Sequence, residues 1–220
     1  MVKEPAVVAE NEDTSESVLM GEFFKLCDAG GSIIQIRTRE AVRAATVIRK
    51  TLLSEDETYT HKEWDAVNGW RTFTIGNCTD GTVAGAMVDF YEALSQPLAD
   101  LRDSKSRVCA EPDKVHCFVY VDPDPYIKDN PVVIALLQQL AAILPSKNVC
   151  VILVTPFVDM SYLPLGTVLT TDMPTPSVSE LERCLRRIIE NAEPDSWSAL
   201  YHRRRGHYPH CYPRSRHDSQ

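Results

Sequence analysis

Residues 117 to 125 read Cys-Phe-Val-Tyr-Val-Asp-Pro-Asp-Pro, an apolar run that stops at two aspartates and two prolines. A run that is apolar at successive positions is typical of a strand covered by helices on both faces of a parallel sheet. The carboxyl ends of the strands in such a sheet form the crevice in which these folds bind ligands. The sequence therefore places Asp122 and Asp124 at the ligand-binding edge of a parallel sheet.

Segments on either side alternate between strand and helix patterns. Four other segments predict strands: 32–38, 70–75, 149–155 and 167–171. Helical spacing of apolar residues predicts helices near 15–28, 39–53, 83–101, 131–144 and 177–192, with Ser15 as an N-cap, Pro97 as an interruption and Ser177 with Glu180 as a capping box. This alternation predicts an α/β three-layer sandwich around a mostly parallel, five-stranded sheet.

Composition indicates one globular domain with irregular ends. The 220 residues are 44% hydrophobic and carry a net charge of −8. We expect an acidic, disordered segment at 1–16, the α/β domain at 17–192, and an irregular basic tail rich in His, Arg and Pro at 193–220. The acidic body argues against a nucleic-acid-binding surface on the domain itself, because phosphate contacts need clustered Lys and Arg.

Cysteine usage and the N-terminus predict a cytoplasmic protein. Seven cysteines occur at irregular spacing, several of them inside apolar strand patterns, as is typical of reduced thiols. Residues 1–17 hold five acids and one lysine without an apolar core, so they resemble neither a secretory signal nor a transit peptide. No apolar run has the length of about 20 residues that a membrane span needs.

An apolar strand that ends in Asp is how P-loop ATPases present a carboxylate to Mg²⁺. However, no G-x-x-x-x-G-K-[ST] phosphate loop occurs in the sequence. Asp122 and Asp124 are the candidate metal ligands. The alternative, which we favour, is a stiff turn in which Pro123 and Pro125 fix the backbone and the acids are solvated.

The segment between the first strand and its helix, where a phosphate loop would lie, reads Arg37-Thr38-Arg39-Glu40. It has no glycine to bring the backbone close to phosphate, and Glu40 would repel an anion. Arg37 and Arg39 could bind phosphate as side chains, whereas Thr38 as a helix N-cap explains the same letters more simply. Thr155 ends a strand where many P-loop ATPases sense the γ-phosphate.

These observations define a vestigial nucleotide site. Its candidate residues are Arg37, Thr38, Arg39, Asp122 and Thr155. The glycines of residues 76–85 have no accompanying lysine, and we predict that 76–81 forms a surface loop. We find no catalytic residue, since no G-x-S-x-G motif and no Cys-His signature occurs.

The basic tail holds four of the six histidines. His207, His210, Cys211 and His217 could in principle ligate Zn²⁺, but their spacing fits no recognised finger. The tail could also contact nucleic acid or an acidic partner. A third hypothesis is translation in a wrong frame, motivated by the abrupt change in composition.

Four stretches resemble a known family: Gly-Ser-Ile-Ile-Gln-Ile-Arg-Thr-Arg-Glu-Ala at 31–41, Asp-Ala-Val-Asn-Gly-Trp-Arg-Thr-Phe at 65–73, the strand at 117–122 with Asn-Pro-Val-Val-Ile-Ala-Leu-Leu at 130–137, and Val-Ile-Leu-Val-Thr-Pro at 151–156. They resemble the N-terminal half of the plastid and cyanobacterial type of AAA+ ATPase, a family also seen in bacteria and phages. There, a degenerate, non-catalytic RecA-like domain precedes the ATPase domain. The catalytic half, with its glycine-lysine loop, acidic pair and arginine finger, does not occur in these 220 residues.

The resemblance implies a P-loop, RecA-like fold that acts in oligomeric assembly or in binding a protein partner, such as an AAA+ ATPase domain. We expect no enzymatic activity from the chain by itself and no required cofactor. One alternative is an atypical ATPase that uses Asp122 to position Mg²⁺ with ATP. A second alternative is nucleic-acid binding through the tail.

Overall fold

The computed structural model describes residues 14–54, 58–74, 77–83, 88–156, 161, 163 and 166–191, without the side chains of 77–80 and 191. The chain divides into two compact units, Met1–Thr175 and Pro176–Gln220. The acidic segment before residue 14 and the tail from residue 192 lie outside the described residues, so the interpretations of both ends stay predictions.

Helices and strands alternate along the first unit. Its helices are α1 (Ser15–Asp28), α2 (Ala41–Ser54), α3 (Phe90–Arg102), α4 (Arg107–Ala110), α5 (Asp124–Ile127) and α6 (Pro131–Ile143). Its strands are β1 (Ile33–Arg37), β2 (Tyr59–Asp65), β3 (Gly69–Thr74), β4 (Asn77–Val83), β5 (Val115–Val121), β6 (Val149–Thr155) and β7 (Val168–Asp172). The second unit contributes α7 (Val178–Asn191).

The strands form one sheet in the order β4-β3-β2-β5-β6-β1-β7. The five strands from β2 to β7 in this order run parallel, whereas β3 and β4 are antiparallel additions at one edge. The mostly parallel α/β sheet is confirmed, and it is consistent with a P-loop, RecA-like fold. The predicted number of five strands is wrong, because the sheet has seven.

The two strands that the sequence did not predict, β2 and β4, have polar sequences. His61 and Glu63 of β2 are buried, although side chains of this kind are usually exposed. The prediction of a loop at 76–81 is wrong for residues 77–81, because these residues belong to β4. This strand pairs with β3, for example through Thr82 and Thr72. An edge strand needs only one paired side, so polar residues and glycine are tolerated there.

Two hydrophobic clusters cover the two faces of the sheet. On one face, α1 and α2 pack against alternate residues of the central strands, which include Ile34, Val119 and Ile152. On the other face, α3, α4 and α6 pack against the intervening residues, including Tyr120 and Leu153. Since β6 is buried at every position, it reads as the continuous apolar run that a central parallel strand requires.

Helix ends follow local chemistry, and the predicted bounds are close except for the helix predicted near 83–101, which begins at Phe90 because Val83 belongs to β4. The side chain of Thr14, not Ser15, accepts the capping hydrogen bond of α1. Gly30, at φ 81°, follows the end of this helix in the left-handed conformation that glycine tolerates best. Pro97 lies inside α3 and does not end it.

The second unit begins with the predicted capping box. The hydroxyl of Ser177 accepts a hydrogen bond from the backbone N–H of Glu180 at 3.2 Å. The carboxylate of Glu180 in turn accepts one from the N–H of Ser177 at 2.7 Å. This reciprocal pair fixes the start of α7. No helix among the described residues is long and apolar enough to span a membrane.

Candidate functional site

The carboxyl edge of the sheet brings together three positions predicted from sequence. Arg37 at the end of β1 is aligned with Thr155 at the end of β6. The N–H of Thr38 donates to the carbonyl of Thr155 at 3.1 Å, and the N–H of Asp122 donates to the carbonyl of Val154 at 2.9 Å. The predicted residues therefore lie on adjacent strands at one edge, because parallel register carries the strand ends to the same side.

Arg37 is already engaged by a carboxylate at this edge. Its Nε and Nη2 atoms donate to the two oxygens of Asp172 on β7, each at 2.7 Å. This bond raises the pKa of Arg37 above its ordinary value. Paired guanidinium and carboxylate groups match each other in shape and charge. The cation that could have replaced a phosphate-loop lysine is thus neutralised by a neighbouring strand.

The start of α2, where P-loop folds hold phosphate, carries an acid instead. The hydroxyl of Thr38 accepts a hydrogen bond from the N–H of Glu40 at 2.9 Å, one residue before the helix begins. Thr38 therefore forms a turn ahead of the helix and is not its N-cap, which corrects the sequence interpretation. The Glu40 carboxylate contacts Arg43 at 2.7 Å. Arg39 is exposed in the same turn. The start of α2 therefore carries a Glu40–Arg43 ion pair where a P-loop fold carries a glycine-rich phosphate loop.

Thr155 does not present its hydroxyl to a ligand in this structure. The residue is 0% exposed, and its Oγ1 has no hydrogen-bond partner among the described residues. A buried hydroxyl without a partner costs free energy relative to a hydrated one. Thr155 therefore fits the core of the strand end better than a γ-phosphate sensor.

Asp122 and Asp124 follow β5 in a tight turn. Asp122 is exposed and adopts φ 54°, a left-handed conformation that Asp tolerates better than most residues. Pro123 precedes the short helix α5, which Asp124 begins. Within the described part of the chain, no group of three His, Cys, Asp or Glu side chains is placed to hold a metal ion. The geometry is that of the turn interpretation.

A cleft of about 500 Å³ beside this edge was not predicted from the sequence. The cleft lies among the end of β2, the first residues of α3, α5 and the first residues of α6. Its lining residues are Trp64, Ala66, Val88, Asp89, Phe90, Tyr91, Tyr126, Asn130 and Val133. Aromatic residues at these positions were the one indication in the sequence: Tyr126 follows strand β5, and Phe90 and Tyr91 begin helix α3.

Aromatic rings form the walls of this cleft, which we call the aromatic cleft. Trp64 and Tyr126 meet edge to face with ring centroids 5.7 Å apart, and Phe90 lies 5.2 Å from Trp64 and 5.5 Å from Tyr126. The indole N–H of Trp64 donates to the carbonyl of Val88 at 3.3 Å. Such contacts hold each ring in one orientation, so the wall is preformed.

A buried cluster of charged residues lies on the face of the sheet opposite the aromatic cleft. The Glu63 carboxylate accepts hydrogen bonds from Arg49 at 2.9 Å and from Arg71 at 2.6 Å. Both guanidinium groups also lie over the ring of Phe73, at 4.1 and 5.5 Å from its centroid. Burial raises the pKa of Glu63, and the two cations oppose that shift.

His61 completes this cluster without a hydrogen bond to any described residue. Its Nε2 lies 3.6 Å from a Glu63 oxygen, beyond hydrogen-bonding distance. Burial, and then the charge of Arg49, lower the pKa of His61 to about 3. The ring is therefore neutral at physiological pH, and we assign the cluster a structural role.

The fold is an α/β domain built on a mostly parallel sheet, which is consistent with a P-loop, RecA-like class of protein. Residues 20–170 match the model of the SpoVK-like AAA ATPase N-terminal domain. Since the match covers more than half of the chain, the protein belongs to this family. The predicted relation to the N-terminal domain of an AAA ATPase is thereby confirmed. No curated protein matches the sequence.

Proposed function

We propose that this domain is a non-hydrolysing module that acts in assembly or in binding a protein partner beside an AAA ATPase domain. The observation that supports this proposal most directly is that charged side chains, and no phosphate loop, are found at the start of α2. Glu40 places a carboxylate there, and Arg37 is paired with Asp172. Phosphates would find Arg37 and Arg43 already paired with carboxylates and no glycine-rich backbone cradle, so the contacts that a P-loop fold supplies to ATP are not offered here.

The partner-binding part of the proposal is supported by the family and by the cleft. The chain belongs to a family of domains described by their position N-terminal to an AAA ATPase. The aromatic cleft offers a preformed, concave surface of about 500 Å³ beside the same sheet edge. Concave aromatic surfaces are typical of binding sites, whereas phosphoryl transfer needs Mg²⁺ ligands and phosphate contacts.

Calorimetric titration of the full chain with ATP and Mg²⁺ tests the proposal. We expect no saturable heat up to millimolar ATP, because the start of α2 offers phosphates no glycine-rich backbone cradle. We also expect no phosphate release above background. An Asp122→Ala variant serves as the matched control and should behave identically. Micromolar binding would refute the proposal, and turnover abolished by Asp122→Ala would favour the atypical ATPase.

A further inference from the structure

We infer that the aromatic cleft docks a cationic segment of a partner protein through an Arg or Lys side chain. This inference rests on the proposed function, since it names the surface and the partner class that such a module would use. The surface consists of the nine residues that line the cleft. It lies apart from the vestigial site at Arg37 and Thr155.

The size and exposure of the cleft fit a short peptide segment. A volume of about 500 Å³ accommodates one or two side chains, as in pockets that bind small ligands. Tyr126 is 37% exposed and Tyr91 is 49% exposed, whereas Trp64 and Phe90 form a buried floor. The incoming segment would therefore meet two accessible ring faces or edges above a rigid base.

Charge complementarity selects a cation. None of the nine described lining residues carries a positive charge, and Asp89 contributes a carboxylate. Residues 124–130, which form α5 and lead into α6, also carry Asp124 and Asp129 against Lys128. Aromatic faces attract guanidinium and ammonium groups. An acidic chain with a net charge of −8 adds long-range attraction.

The two helix N-termini at the cleft do not reverse this preference. Asp89 accepts a hydrogen bond from the N–H of Glu92 at 2.8 Å at the start of α3. Asn130 accepts one from the N–H of Val133 at 3.3 Å at the start of α6. These side chains satisfy N–H groups that could otherwise attract an anion. Asp89 additionally brings a full negative charge to the rim.

Fluorescence anisotropy with a labelled Gly-Arg-Tyr-Pro-Arg-Gly peptide tests the inference. We expect saturable binding by the full chain that weakens as salt is raised. Tyr126→Ala should weaken binding about two- to five-fold, the factor expected for the loss of a cation–π contact at an exposed site. Asp89→Asn should weaken it about two- to five-fold while keeping a good N-cap, because only the rim charge is removed.

The matched control is Asp103→Asn, which removes the same charge from the end of α3 and should leave the affinity unchanged. A second peptide with glutamate in place of both arginines should not bind. Circular dichroism of each variant separates loss of the surface from loss of the fold. Equal binding by all variants, or no saturable binding at millimolar peptide, would overturn the inference. The proposed function would then stand or fall separately on the ATP titration.

Discussion

Replacing Glu63 with alanine is expected to lower the free energy of unfolding by about 3 to 5 kcal/mol, the usual cost of breaking a buried ion pair. The side chain is 2% exposed and holds Arg49 at 2.9 Å and Arg71 at 2.6 Å. Removal would leave Arg49, which is also buried, without its carboxylate. Urea denaturation at pH 7, followed by circular dichroism, measures the change.

A matched control distinguishes this buried cluster from surface pairs. Glu111 also contacts two cations, Arg107 at 2.8 Å and Lys114 at 3.1 Å, but at the surface. Glu111→Ala should cost much less than Glu63→Ala, since water screens exposed charges. Equal losses of unfolding free energy for Glu63→Ala and Glu111→Ala would contradict the structural role assigned to the buried cluster. Replacing Glu63 and Arg49 together with apolar residues should recover much of the stability, because Arg71 keeps Asp65 at 2.7 Å and no unpaired charge then remains buried.

The second large effect is a loss of stability in acid caused by His61. Its pKa is about 3 in the folded protein, below the ordinary value of 6.5 that applies when the chain unfolds. The folded state therefore favours the neutral ring, and the stabilisation is complete above pH 6.5. As the pH falls from 6.5 towards 3, the unfolded state binds the additional proton. The free energy of unfolding should fall by about 1.4 kcal/mol per pH unit from this group.

His61→Leu should flatten this dependence. Because neither ring nitrogen has a hydrogen-bond partner among the described residues, the substitution should cost little stability at pH 7. Denaturation curves at pH 7, 6, 5 and 4 provide the test. His116 provides a comparison for His61, because its ring has hydrogen-bonding partners. It lies 2.9 Å from the Thr60 hydroxyl and 3.1 Å from the Glu111 carbonyl. Identical slopes for the parent and the His61→Leu variant would exclude His61 as the cause.

The sequence predicted the centre of the sheet better than its edges. β5 and β6 were recognised because helices cover both faces, which makes nearly every residue apolar. β2 was missed because His61 and Glu63 suggest an exposed segment. Their burial depends on Arg49, which lies 14 residues away from Glu63 in α2. Local patterns cannot reveal partners that only the tertiary fold supplies.

The positions of the candidate site residues could be predicted from the sequence, but their contacts could not. Strand ends placed Arg37, Asp122 and Thr155 at one edge, and parallel register confirms that placement. The bond from Arg37 to Asp172 joins residues 135 positions apart, so no sequence window contains both. The aromatic cleft likewise combines four separate elements, and its nine residues share no periodic pattern.

The occupied start of α2 also limits how this domain can evolve. Regaining a phosphate loop would require a glycine-rich insertion between β1 and α2, together with removal of the Glu40 carboxylate and release of Arg37 from Asp172. No single substitution among these opens an anion site, so selection has no functional intermediate to retain. A variant designed to bind ATP at this position would therefore need all three changes together.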